Sequence, residues 1–513
     1  MHALSYNPGG KLPPDGINKG KALAKNDDKR FITPKSENPS QWYTDVILQA
    51  ELADYSPVRG CQVYRPYGFA IWEKLKKLLN DRIIATGHEN TYYPMFIPKS
   101  LLDREAEHVE GFAPEVAWVT KGGGKDLDEP LAIRPTSEVI IGVMWAKWLQ
   151  SYRDLPYLHN QWANVVRWEK ATRPFLRTLE FLWQEGHTAH AHEQEAREET
   201  ARMLEQYSQF ACDDLSLHVL HGIKSNSEKF AGAVETWGIE AMMPDGKALQ
   251  SGTSHFLGQN FAKAYDIKFL AEDNTEQFVW TTSWGVSHRI MGGMLMVHGD
   301  DKGLILPPKV APIHIAIVPI TRGDNTEEVV AACQKLAAGL RRESYNGEAI
   351  SVKVDDRDGF RPGYKFAHWE LRGVPFRMEV GPRDIEENAA ILVDRISGEK
   401  RKVDVNYETG SIGGVSIAKE LDEFQAQLYA RSRSEVESRI IEVTSYDEFK
   451  DVISSGRGFV LAPWDGKAST EARVKEETSA TTRVMAPQKP DNGVKCLFSG
   501  DVAQYMAYFA SSY

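Results

Sequence analysis

The chain has few cysteines, no long apolar run and a deficit of positive charge, and each shortage closes off a class of protein. Cys61, Cys212, Cys333 and Cys496 stand far apart with no CxxC pair. That spacing argues against a disulfide framework and against a four-cysteine zinc site. No apolar stretch approaches the ~18 residues that cross a bilayer. The N-terminus, MHALSYNPGGKLPPDGINKGKALAKNDDKR, lacks the apolar centre of a secretory signal and reads as a flexible arm. The expected location is therefore the cytoplasm. Lys and Arg number 61 against 72 Asp and Glu, a net charge of −11. Attraction of nucleic acid by the molecule as a whole is excluded, so any such binding needs a local basic patch. With 513 residues, 42% of them apolar, the chain is long enough for roughly three globular domains.

What is present is a sequence of α/β character. Ser40 after Pro39 is the expected cap of a first helix, with Trp42, Val46 and Ala50 on one face. A second helix is expected from Gly68 to Ala85, apolar at Trp72, Leu75, Leu79 and Ile83 and stopped at Gly87. Thr91–Pro98 reads as a strand that Pro94 confines to an edge or an interface. The segment Leu131–Glu138 is a strand running into a turn, where Thr136 or Ser137 caps a helix apolar at Ile140, Ile141, Met144 and Trp148. Two strands, Asn164–Glu169 and Arg177–Ala191, form a hairpin with a long tip around Pro174. A polar helix is expected from His192 to Phe210. Strands follow near Ala248–Leu257 and Gln277–Thr282, and a glycine-rich helix begins at Gly285. Beyond Pro307-Pro308 strands alternate with helices, Ile313–Ile320, Glu327–Leu340, Ala349–Asp356, which predicts a compact domain on a mostly parallel sheet. Ile417–Ile440 reads as a charged helical linker.

Two motifs are decoys. KGGGK (Lys121–Lys125) lacks the Ser or Thr after its lysine that a phosphate loop requires, and reads as a hairpin turn. HTAHAHE (His187–Glu193) puts His190 and His192 on one strand face but offers no third metal ligand. The hairpin VVRWEKATRPFLRTLEFLWQEGH (Val165–His187) is more informative. Arg167 and Glu169 are two apart and share a face, and the returning strand adds Phe181, Trp183 and Glu185. A guanidinium fork matches phosphate or carboxylate oxygens, and a neighbouring carboxylate accepts from an exocyclic amine. That combination suits a nucleotide held on a sheet. In SWGVSHRIMGGM (Ser283–Met294), Arg289 is expected one turn into its helix, available to an adenine face or to terminal phosphates.

Together these pieces resemble the three signature motifs of class II aminoacyl-tRNA synthetases. The helix and strand around Pro94 resemble the first, which builds the dimer interface in that family. Arg167–Glu169 with Phe181–His187 resembles the second, and Gly285–Arg289 the third. The finer resemblance is to prolyl-tRNA synthetases of archaeal and eukaryotic type. It rests on RPTSE (Arg134–Glu138), FLRTLEFLWQEGH (Phe175–His187), LQSGTSHFLGQNF (Leu249–Phe261) and PGYKFAHWELRGVPFRMEVGPRD (Pro362–Asp384). The chain leaves no room for the bacterial-type editing insertion.

The resemblance implies an α/β multidomain enzyme. Its expected parts are an N-terminal arm (1–35), a catalytic domain on an antiparallel sheet flanked by helices (36–306), an anticodon-binding α/β domain (307–410), a helical linker (411–435) and a small α/β C-terminal domain (436–513). It implies ATP with Mg²⁺, L-proline and tRNA(Pro) as partners, a homodimer, and neither membrane nor DNA. Arg167 and Arg289 are the implied catalytic residues. Arg167, Glu169, Arg177, Gln250 and Arg289 would hold ATP. Thr136, Glu138, Arg167, Phe181, Trp183, Glu185, Thr253 and His255 would hold proline. Glu370, Arg377 and Arg383 would read the anticodon, with Phe360, Tyr364, Phe366, Trp369 and Phe376 available for stacking. Relatives carry a four-cysteine zinc site in the C-terminal domain. Here Asp465 and the lone Cys496 stand in its place, so no structural zinc and no other side-chain metal site is expected. Three other readings remain open: a class II synthetase of different amino-acid specificity, a non-catalytic tRNA-binding relative, and a zinc hydrolase built on the histidines.

Overall fold

The computed structural model describes residues 32–108, 115–321 and 325–513; most of the expected N-terminal arm lies outside them. The first described helix, Pro39–Gln49, is capped by Asn38, whose side chain accepts from Gln41 N, and not by Ser40. Proline takes the first helical position, where its missing N–H costs nothing. Trp42, Val46 and Ala50 are buried as their spacing requires. The second helix runs Pro66–Ala85 and buries Trp72, Leu75, Leu79 and Ile83, with Gly87 left-handed beyond it at φ 93°. Gly68 is inside this helix because a Cβ there would lie 2.0 Å from the Leu52 carbonyl oxygen.

Seven strands form the central sheet, in the order Glu89–Asn90, Tyr157–Val166, Glu180–His190, Trp280–Ser287, Ala248–Gly258, Glu235–Met242, Val219–Ile223. Every pairing is antiparallel except the first. The helix Glu193–Gln209 covers one face, continued by a wider turn at Phe210–Asp214. The expected strand over Thr91–Pro98 shrinks to Phe96–Pro98, since Pro94 can neither donate to a ladder nor let its neighbour bend freely. KGGGK is the expected turn, with Gly123 and Gly124 at positive φ between Trp118–Gly122 and Lys125–Ile133. The helix Glu138–Trp148 buries Val139, Ile141 and Trp145 and leaves Trp148 exposed. The expected apolar face was therefore turned by about one residue.

A six-stranded sheet follows, ordered Val352–Val354, Ile315–Pro319, Phe376–Val380, Ala389–Asp394, Lys400–Asn406, Ser411–Gly413. The sheet is mixed, not mostly parallel: its first three strands are parallel, and the last three are added antiparallel. The cause is chain length. Asp394 and Lys400 are joined by a turn with Gly398 at φ 72°, whereas a parallel neighbour needs a crossover of a dozen residues or more.

The charged helix Ile417–Ser438 does more than link. It buries Ile417, Leu421, Phe424 and Leu428 in the core of this sheet. Its opposite side meets the catalytic unit, where Ser216 Oγ donates to Gln425 O and Ser432 Oγ accepts from His218 N, each at 3.0 Å. The C-terminal sheet orders Ile440–Glu442, Phe459–Trp464, Tyr505–Ala510, Thr481–Met485. Among the described residues no helix is long and apolar enough to cross a membrane.

Gly68→Ala is expected to destabilise the protein by about 1–3 kcal/mol through overpacking against Leu52, read as a fall in the thermal unfolding midpoint. An unchanged midpoint would show that the helix can shift without cost.

Candidate active site

Antiparallel register assembles the site. Across the sheet, Gln161 faces Glu185, Glu185 faces Gly285, and Gly285 faces Thr253. Two residues along, His159, His187, Ser283 and His255 form a second row. Side chains two apart share a face, and Glu185, Gly285 and Thr253 of the first row with His187, Ser283 and His255 of the second line one cavity of about 230 Å³. Ten expected residues line it: Thr136, Glu138, Arg167, Phe181, Trp183, Glu185, Gln250, Thr253, His255 and Arg289.

The expected hairpin strands end sooner than their sequence pattern predicts. The strands are Tyr157–Val166 and Glu180–His190, so Arg167 and Glu169 sit in extended chain beyond them. Arg167 is nonetheless well fixed. Its Nε donates to Pro135 O at 3.0 Å, and its guanidinium lies 5.4 and 5.2 Å from the ring centres of Phe181 and Trp183. Those two rings meet edge to face at 87°. Arg289 is the first residue of the helix Arg289–His298; Gly285, expected to open that helix, lies in the preceding strand. Arg289 Nε donates to Leu176 O at 2.8 Å. Burial and then the positive charges of Arg177 and Arg167 push its pKa down. The charges of Glu240 and Glu169 act in the opposite sense. Glu169 and Arg177 lie outside the cavity lining and pair with each other at 2.8 Å.

The other end of the cavity is anionic. Glu185 accepts from Ser137 N at 3.1 Å, Gln161 Nε2 at 2.7 Å, the Ser137 hydroxyl and His187 Nε2. Burial alone would raise its pKa, but these bonds, with His187 first, hold it below the ordinary value. For His187, burial works against the charge, and the bond to Glu185 and the field of Glu138 win, so its pKa rises. Donor atoms of Glu138, Glu185 and His187 lie within 4.8 Å of one another. Glu185 has its acceptor positions occupied and His187 turns its Nε2 proton to it, so the trio is a poor metal cage. Two carboxylates stand here against a single imidazole, so this end of the cavity is anionic. His255 is kept neutral, its pKa lowered to about 3 by burial and by Lys224, and its Nδ1 meets Thr236 Oγ1 at 3.0 Å.

Ser137 is the N-cap of the helix Glu138–Trp148, as expected, but its hydroxyl bonds Glu185 and not the helix backbone. Sequence reasoning missed several lining residues: Lys224, Glu228 and Phe230 enter from a loop with no motif, and Ser283 lines the cavity with a buried hydroxyl that has no partner among the described residues. His190 is separate: it bonds Thr188 Oγ1 at 2.8 Å, and burial lowers its pKa to about 4. His192 is the N-cap of the next helix.

In the six-stranded sheet, Arg377 reaches Glu370 at 3.3 Å and Glu379 at 2.9 Å and covers Phe366 at 4.4 Å. Lys400 joins through Glu379 at 3.0 Å. Arg383 is exposed in the helix Pro382–Glu386, with no side-chain bond to this group among the described residues. Trp369 and Phe376, expected as stacking platforms, are core residues.

An antiparallel sheet carrying a cavity with arginines at one end and carboxylates at the other is that of a class II aminoacyl-tRNA synthetase, the class its family matches show. Residues 118–298 match the class II core domain serving G, H, P, S and T, and 314–407 an anticodon-binding domain. Residues 446–513 match the prolyl-tRNA synthetase C-terminal domain. The chain is 49% identical to the proline–tRNA ligase of Natranaerobius thermophilus, over 93% of this chain and 97% of that one. It is 48% identical to the chloroplastic/mitochondrial enzyme of Arabidopsis thaliana, over 94% and 88%. The crystal structure of prolyl-tRNA synthetase from Cryptosporidium parvum, complexed with halofuginone and AMPPNP, superposes with a TM-score of 0.88 at 39% identity, over 94% and 99%. The chain belongs to the prolyl-tRNA synthetases, and its activity is the ATP-dependent attachment of proline to tRNA.

Because the His187 pKa is raised on folding, the stability of its pair is full below the ordinary value of about 6.5 and is lost as pH rises through the folded value. His187→Gln holds no such proton. The gap between wild-type and variant unfolding midpoints should shrink as pH climbs above 6.5; a constant gap would show that His187 is neutral throughout.

Proposed function

We propose that the cavity divides its labour by charge. Arg167, Arg289 and, from the loop, Arg177 take the triphosphate of ATP, whose Mg²⁺ enters as part of the substrate. Gln250 holds the nucleoside. Glu169, paired with Arg177, becomes the acceptor for the adenine amino group when that pair opens onto ATP. Glu138 and Thr136 take the secondary ammonium of proline. Glu185 contributes charge and holds Ser137, its acceptor positions being filled. Phe181, Trp183, Thr253 and His255 enclose the ring.

In this reading a carboxylate oxygen of proline attacks the α-phosphorus, the bond to the bridging oxygen breaks, and pyrophosphate leaves with its electron pair. A ribose hydroxyl of tRNA then attacks the prolyl carbonyl and AMP departs. No protein nucleophile is needed; the enzyme positions reactants and stabilises developing charge. The observation that carries the proposal is the placement of Arg167 between the two ends. It lines the cavity, touches the aromatic wall, and feels Glu138 and Glu185 as well as Arg289. AMPPNP, an ATP analogue, in the Cryptosporidium enzyme agrees with it.

Further proposals follow from the same structure. Glu370 and Arg377 read anticodon bases together with Phe366 and Lys400, which replace Arg383 in the expected set. Tyr92, Phe96 and Trp118 are exposed, the last two facing the neighbouring positions Ile133 and Ala132 of one strand. A second copy covering this patch gives a homodimer. The C-terminal sheet dispenses with zinc because Asp465 accepts from Thr470 Oγ1 at 2.9 Å, Ser499 Oγ at 2.8 Å and Lys467 N at 3.0 Å, tying its loops together. A cytoplasmic site of action accords with cytoplasmic translation; the Arabidopsis relative is organellar.

Arg167→Ala should lower proline-dependent ATP–pyrophosphate exchange by about 10²–10³-fold, the size of effect seen when one donor to developing charge is removed. A loss under tenfold would remove Arg167 from the reacting centre.

A further inference from the structure

The C-terminal sheet touches the catalytic sheet at its far edge. The strand Thr481–Met485 packs beside Val219–Ile223 and Glu235–Met242. The approach is close enough that a Cβ at Gly222 would lie 2.3 Å from the Met485 carbonyl oxygen. Through this contact Arg483 enters the catalytic unit. Its Nη2 donates to both oxygens of Glu240, at 3.0 and 3.1 Å, and Lys224 Nζ donates to the same carboxylate at 2.9 Å. All three side chains are at least 95% buried. Gly238 makes the room, since a Cβ there would lie 3.0 Å from Lys224 Cε. A few residues on, Ser225 Oγ donates to Glu471 Oε1 at 2.9 Å, and Ser225 Oγ accepts from Glu228 N at 3.2 Å. Glu471 belongs to the helix Ala468–Thr478 of the C-terminal unit.

The segment anchored in this way is a wall of the active site: Lys224, Glu228 and Phe230 line the cavity. Phe230 N donates to Thr236 Oγ1 at 2.9 Å, and its ring lies 4.7 Å from that of His255. The hydrogen bonds that fix Arg167 and Arg289 come from Pro135 and Leu176, within the catalytic unit, while the charge of Glu240 also reaches Arg289. A buried ion cluster is a weak source of net stability compared with apolar packing, but removing one member leaves a buried charge exposed to its neighbours' absence, and such clusters serve to fix register.

We propose that Arg483 and Glu471 are positioning residues for amino-acid binding: the C-terminal unit holds the root of residues 224–230 and so sets the wall that closes on proline. The proposal rests on the assignment of His255 to the proline pocket. It accounts for why a domain outside the catalytic sheet places Arg483 on Glu240, the buried partner of Lys224, and Glu471 on Ser225.

The test is pyrophosphate exchange on the full-length enzyme, normalised by active-site titration, for Arg483→Met, Arg483→Lys, Glu471→Gln and His255→Ala. Arg483→Met should raise KM for proline at least tenfold while KM for ATP stays within threefold. Arg483→Lys should recover part of the loss, and Glu471→Gln should move KM for proline in the same direction. Unchanged KM for proline in the C-terminal variants, or equal rises for proline and ATP, would overturn the proposal. If Arg483→Met fails to fold, the other two C-terminal variants decide by the same criterion. His255→Ala separates the two layers: if it leaves KM for proline unaltered, the pocket assignment itself is wrong, whereas an effect there with none at 471 and 483 refutes only the positioning role.

Discussion

The carboxylate of Glu185 is the interaction on which the site depends. It is buried in the middle of the sheet, where an ionised group must be fully hydrogen-bonded or lose its charge. Ser137, Gln161 and His187 satisfy it, and in doing so they bind three separate pieces of chain to one point. Gln161 comes from the neighbouring strand, His187 from the same strand, and Ser137 from the turn that precedes the helix Glu138–Trp148. That turn presents Thr136 and Glu138 to the cavity. Arg134, wholly buried, completes the attachment by donating to Tyr93 O at 2.7 Å and Asn164 O at 2.8 Å. Pro135 O then receives Arg167. The buried carboxylate of Glu185 and the guanidinium of Arg167 are thus fastened to one another through the segment Arg134–Glu138.

On the proposed reading, attack of a carboxylate on phosphorus is limited by charge repulsion and by orientation, both of which a fixed array of guanidiniums answers. The cost of gathering arginines is their mutual repulsion, visible at Arg289. Glu169 offsets part of it through Arg177, and Glu240 acts on Arg289 in the same sense.

The three sheets are also less independent than their sequence pattern implies. The helix Ile417–Ser438 is a packed beam with one face in the six-stranded core and the other on the catalytic unit. The C-terminal sheet grips the catalytic edge through Arg483. Both contacts join residues more than two hundred positions apart, where local pattern carries no information.

The sequence by itself determined most helices, through local spacing, and, through the resemblance of its long signature stretches to a known family, the antiparallel catalytic sheet and ten residues of the cavity. It also excluded a phosphate loop at Lys121–Lys125 from one missing hydroxyl. Tertiary structure decided what depends on register and turning distance. Glu169 and Arg177 face each other outside the cavity because the strands end at Val166 and begin again at Glu180. Lys400, not Arg383, joins Arg377 because the antiparallel hairpin brings Lys400 beside Glu379. The six-stranded sheet turned out mixed because a short turn forbids a crossover. A side chain's type and period are written in the chain, but its partner is chosen by whichever distant backbone the fold brings within three ångströms.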